Sequence, residues 1–119
     1  MKYMLLIHQG TAPTPRSPED WERLSPDEKQ AIYTEYRELS ETAGVTAGLQ
    51  LEPPESGTTV RVSGGQLLRT DGPFAETKEA IAGYLIYEGE DLEAAVEIAA
   101  RIPAARLGGA IEVRPVVEW

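Results

Sequence analysis

Two stretches of this chain are apolar at both parities of a strand. "KYMLLIH", residues 2–8, sets Tyr3, Leu5 and Ile7 on one face and Met4, Leu6 and His8 on the other, and "AIAGYLIYE", residues 80–88, repeats the pattern. Strands that are apolar on both sides are strands covered on both sides, so both are expected at the centre of a sheet. "VTAGLQL" (45–51) reads as a further strand, ended by Pro53-Pro54. "TTVRVSGGQLLRT" (58–70) alternates around Ser63-Gly64-Gly65, the pattern of two short strands joined by a glycine-rich turn. "AIEVRPVVEW" (110–119) closes the chain as a strand with Ile111, Val113 and Val117 at one parity, and Pro115 assigns it to an edge.

The 3.6-residue period appears between these strands. Ser17-Pro18 opens a short helical turn through Trp21, and Ser25-Pro26-Asp27-Glu28 is a capping box in which serine and glutamate each satisfy the other's backbone amide. About four turns of helix should follow, with Ile32, Tyr36, Leu39 and Ala43 as one stripe and Gly44 as the stop. Asp91 caps a second helix bearing Leu92, Ala95, Val96, Ala99 and Ile102, and Pro103 ends it. Residues 9–18, rich in Gly and Pro, form a loop long enough to act as a flap.

Strand-helix-strand occurs twice, with the hairpin inserted between the halves. That order predicts an α+β, ferredoxin-like domain: an antiparallel sheet with two helices on one face. Two helices cover only one face, whereas the strands at 3–8 and 81–87 are apolar on both. The expected cover is a second copy packed sheet to sheet about a two-fold axis, a homodimer.

At 119 residues the chain is one domain, 1–119. A net charge of −9 with scattered basic residues argues against nucleic acid and membrane surfaces as direct partners. The absence of cysteine excludes thiolate chemistry, disulfides and sulfur-ligated metals. One histidine and dispersed acids show no metal-ligand spacing, and neither metal nor cofactor is expected. The N-terminal apolar run falls short of the roughly 7–15 residues of a signal-peptide core. With no membrane-length run either, the expected compartment is the cytoplasm.

The residues with chemical potential are few. Asp71-Gly72-Pro73 reads first as a turn, yet a turn has no use for the chain's single Phe, Phe74, followed by Glu76, Thr77 and Lys78. The functional reading is that the turn aims Phe74 into a cleft with those three side chains as polar contacts. Tyr84 and Tyr87 lie on opposite faces of their strand, so one of them lines a given pocket, and Tyr84 is assigned to it. His8 is the candidate general base, with Asp71 or a nearby Glu as partner. Arg114 is a candidate anion contact, with a cross-strand ion pair as the plainer alternative.

Read together, "MKYMLLI", "AGLQLEPP", "TDGPFAETKE", "AGYLIYE", "AARIPAAR" and "EVRPV" resemble the YCII-related family, in the branch named for its Asp-Gly-Pro-Phe motif. The resemblance covers nearly the whole chain. It implies a dimeric α+β barrel and a part in transcriptional control beside extracytoplasmic-function sigma factors. Shorter relatives are proposed to be enzymes that use a His and Asp pair in the dimer cleft, with the His at the start of the first helix. Here that stretch is Pro26-Asp27-Glu28-Lys29, so the pair is not carried over. The expectation is a ligand-binding or regulatory homodimer. Its alternative is a small lyase-, isomerase- or hydrolase-like enzyme using His8 with an acidic partner in the dimer cleft.

Overall fold

The computed structural model describes residues 1–14, 18–71 and 81–118. The elements follow in the order β1 (Lys2–His8), α1 (Pro18–Glu22), α2 (Pro26–Ser40), β2 (Val45–Gln50), β3 (Thr58–Ser63), β4 (Gln66–Asp71), β5 (Ile81–Glu88), α3 (Leu92–Ala100) and β6 (Ala110–Pro115). Four strands form one sheet in the order β2-β5-β1-β6, and every neighbouring pair is antiparallel. The two doubly apolar strands are its central pair and the proline-bearing β6 is an edge, as their patterns require.

The helices begin where the caps predict. Ser25 accepts the amide of Glu28 at 3.1 Å, and the Glu28 carboxylate accepts the amide of Ser25 at 3.0 Å. Those bonds hold the Glu28 carboxyl below the ordinary range for glutamate. Asp91 accepts the amide of Ala94 at 2.9 Å and starts α3. The cap expected from Ser17 lies outside the described residues. Of the stripe foreseen on α2, Ile32 and Leu39 are buried, but the helix ends at Ser40, so Ala43 falls in the exposed turn before Gly44. Gly44 has φ +84°, a conformation that glycine adopts at little cost. On α3 the buried residues are Ala95, Ile98 and Ala99, while Leu92 and Val96 are exposed. The inward face is thus rotated by about a quarter turn from the one that Leu92 and Val96 would define.

One core joins these elements on a single face of the sheet. Tyr3, Leu5 and Ile7 of β1 and Leu85 of β5 pack with Leu39 of α2, with Ala95, Ile98 and Ala99 of α3, and with Ile102 and Ala104 beyond it. Leu5 and Ile102 are wholly excluded from solvent. Burying a side chain of that size stabilises by about 1.5–3 kcal/mol, so this face carries the fold. On the other face Met4, Leu6 and His8 of β1, with Tyr84 and Ile86 of β5, are only half-buried. Both helices therefore pack on one side, as the element order requires.

The inserted strands extend no sheet. β3 and β4 pair with each other, from Thr58 opposite Asp71 to Ser63 opposite Gln66, as a separate two-stranded ribbon. Val60, Val62 and Leu67 share one face of it, and all three are exposed. The molecule is extended and flat, 50 × 41 × 18 Å, with a radius of gyration of 16.2 Å against about 13–14 Å for a compact chain of this length.

Candidate functional site

The sequence points to two places, and the structure puts His8 and Asp71 on different sheets. His8 ends β1 on the uncovered face, at the parity of Met4 and Leu6. Its Nε2 lies 3.5 Å from Oε1 of Glu112, and its Nδ1 is buried with no hydrogen-bond partner among the described residues. Glu112 reaches it because β6 pairs with β1 in a register that sets Glu112 opposite Leu6, diagonal to His8. Arg114, two residues on and on the same face, donates through Nε to Oε2 of Glu112 at 2.9 Å. These contacts, Arg114 first and His8 after it, hold the Glu112 carboxyl below the ordinary glutamate range, against a smaller opposing effect of burial. The Arg114 ion pair thus runs along its own strand, where a cross-strand pair was expected.

Asp71 is the last residue of β4, exposed and opposite Thr58. The carboxylate that pairs with His8 is Glu112. Phe74, Glu76, Thr77 and Lys78 lie outside the described residues, as do Gly72 and Pro73 of the turn. Tyr84 sits opposite Leu6 on the uncovered face, where its ring lies across Gly48 of β2; any side chain at Gly48 would collide with it. Tyr87 faces the helices. Among the described residues no three His, Asp or Glu side chains are grouped as a metal site, and no helix is long and apolar enough to cross a membrane.

A cleft opens on the helix side. Its volume is about 330 Å³, and its floor is Ile7, Ala47, Gly83 and Leu85 from three neighbouring strands. Trp21 of α1, Ile32, Tyr33, Tyr36 and Ser40 of α2, the loop Ala12–Thr14, and Pro103, Ala104 and Leu107 enclose it. Each wall has a local cause. The loop after β1 is tied down where the amide of Thr11 donates to the carbonyl of Gly108 at 3.2 Å and Nε2 of Gln9 donates to the carbonyl of Ala12 at 2.7 Å. Trp21 is buried and meets Tyr33 edge to face, with ring centroids 5.6 Å apart at 72°. Lys29 lies 5.9 Å over the indole and pairs with Glu22 at 3.4 Å, which fixes α1 against α2. Arg106 forks onto both carboxylate oxygens of Glu35 at 2.6 and 2.7 Å and joins the turn after α3 to α2 beside Tyr36. Burial raises the Tyr36 phenol above its ordinary range, Glu35 adds to the effect, and Arg106 opposes it. The hydroxyl is neutral throughout the physiological range.

The sequence signals for this cleft are visible only in retrospect. Trp21 stands alone among acids in "PEDWE", a large apolar residue in a helix too short to be stable by itself. Tyr33 and Tyr36 are three apart and share a helix face. Glu112 could not be found without the register of β6 on β1.

The sequence profile of the YCII-related domain matches residues 1–119. An uncharacterized protein of Rhizobium meliloti (strain 1021) is 32% identical over 118 residues, which cover 98% of this chain and 92% of that protein. A profile match along the whole length and a relative at that identity carry one conclusion: the chain belongs to the YCII-related family.

Proposed function

We propose that this chain is a small cytoplasmic ligand-binding or regulatory domain that works as a homodimer of ferredoxin-like subunits, closed face to face into an α+β barrel. The observation that carries the ligand-binding reading is the helix-side cleft of about 330 Å³, with apolar and aromatic walls and a few hydroxyl and amide groups. Small-molecule pockets combine these same elements. Support for the dimer comes from the uncovered sheet face, where Met4, Leu6, Tyr84 and Ile86 stay half-exposed on strands whose pattern calls for two covers. A sigma factor of the extracytoplasmic-function class is the protein partner that the family resemblance suggests. Phe74, Glu76, Thr77 and Lys78 belong to this reading as contacts contributed by the motif, together with Asp71.

A thermal-shift screen of a metabolite library on the native protein tests it. Expected is a saturable rise in Tm with at least one compound, since a ligand at a hundred times its Kd adds about 2.7 kcal/mol to stability. Loss of that shift in Asp71→Ala or Lys78→Ala assigns the motif to the site. A protein that no compound stabilises, and that light scattering finds monomeric at micromolar concentration, refutes the reading.

The His8–Glu112 contact favours a second reading, a small-molecule enzyme. A histidine with a carboxylate 3.5 Å from one nitrogen, and an arginine that orients the carboxylate, is an arrangement able to move a proton. Turnover of a screened ligand that His8→Asn abolishes while leaving its binding intact would select this reading.

A further inference from the structure

The helix-side cleft has a composition that narrows what it can hold. Among the described residues that line it there is no Asp, Glu, Lys, Arg or His, although 26% of the chain is charged. A charged ligand would therefore lose its hydration there and gain no ion pair from those residues in return. Its apolar surface is also flat in places: the indole of Trp21 and the phenol rings of Tyr33 and Tyr36 supply ring faces and edges. The polar groups are neutral. Gln9 spends its amide nitrogen on Ala12 but keeps its carbonyl oxygen, and the Tyr36 hydroxyl makes no hydrogen bond to another described residue.

Volume sets the size. An apolar protein cavity of roughly 150 Å³ accepts one benzene ring, and this cleft has about 330 Å³. We infer that the cleft is a binding site for an uncharged, fused two-ring aromatic molecule carrying one hydroxyl or carbonyl group, stacked against Trp21 and Tyr33 with its polar group toward Gln9 and Tyr36. The inference deepens the ligand-binding reading and rests on it. The site lies on the opposite side of the sheet from His8 and Glu112, and Tyr84 is among its lining residues.

Three probes and one substitution test it by calorimetry and ligand-observed NMR. The probes are 2-naphthol, naphthalene-2-sulfonate with the same rings and a fixed charge, and benzyl alcohol with one ring. Expected is saturable binding of 2-naphthol, at least tenfold weaker binding of the sulfonate and of benzyl alcohol, and magnetisation transfer between the naphthol and the Trp21 indole. Ala47 is exposed on the floor of the cleft, so Ala47→Trp fills the space without entering the core, and it should weaken 2-naphthol by tenfold or more. The probe comparison uses the native protein alone and stands even where the variant fails to fold. Equal binding of the sulfonate, or naphthol binding unchanged in folded Ala47→Trp, overturns the inference. A library compound that stabilises the protein equally well in Ala47→Trp would overturn this site and leave the ligand-binding reading standing. Failure of all three probes and of the whole library would overturn both.

Discussion

The two faces of β1 are equally apolar in sequence and unequal in the folded chain. Tyr3, Leu5 and Ile7 are buried beneath α2 and α3, whereas Met4, Leu6 and His8, interleaved with them, are half-open. Hydrophobicity alone does not distinguish the two sets. The difference lies in connectivity: both helices cross on the same side of the sheet, so one face is covered within the chain and the other depends on something else. The uncovered face also carries the row His8, Glu112 and Arg114 at its β6 edge, and the covered face borders the cleft, which has no charged side chain among its described lining residues. That titratable row and the aromatic walls of the cleft are thus set on opposite sides of the sheet.

Substituting adjacent leucines tests the inequality most strongly. Leu5→Ala, at a fully buried position, should cost about 2–5 kcal/mol in urea denaturation. Leu6→Ala should cost less in dilute protein, and its cost should grow with protein concentration as a second copy covers the face. Equal, concentration-independent costs for both would break the comparison.

A smaller effect comes from acid. The folded-state carboxyl of Glu112 sits below its ordinary value of 4.5, held by Arg114 and His8. Its contribution is therefore present above about pH 4.5 and is lost as the pH falls through the depressed folded value. Glu28 behaves in the same way through its bonds to Ser25. Glu112→Gln should flatten part of the acid limb of a stability–pH profile and leave the part due to Glu28. An unchanged limb would mean that the row on the open face contributes nothing to folding.

The smallest effect is expected on the ribbon, where Val62 is 71% exposed. Val62→Thr should change stability by no more than about 0.5 kcal/mol, because little apolar surface is withdrawn from water there. A loss above that in concentrated protein, absent on dilution, would place the ribbon in an interface and add a third surface to the two faces of the sheet.

Much of the architecture is legible in the sequence. Double apolarity marked β1 and β5 as central, Pro115 marked β6 as an edge, and the Ser25–Glu28 box and Asp91 marked the helix starts. These are local rules, each spanning a few residues. The inward face of α3 was less legible because Leu92 and Val96 fit a stripe almost as well as Ala95, Ile98 and Ala99. The choice between them depends on how closely the helix approaches the sheet, which small residues decide.

The candidate sites were legible to different degrees for the same reason. That His8 shares a face with Met4 and Leu6 follows from strand period alone, and so does the separation of Tyr84 from Tyr87. That Glu112 is its neighbour depends on a register between β1 and β6, about a hundred residues apart in sequence. The cleft is further still from sequence, since its floor comes from three strands and its walls from both helical segments and two loops. Sequence by itself determined the element order, the central and edge strands, the helix caps and the parity of each strand residue, because those follow from backbone period and nearest-neighbour hydrogen bonding. Only tertiary structure decided which parity the helices cover, which carboxylate meets His8 and where the cleft opens, because each requires segments distant in the chain to meet at a particular register.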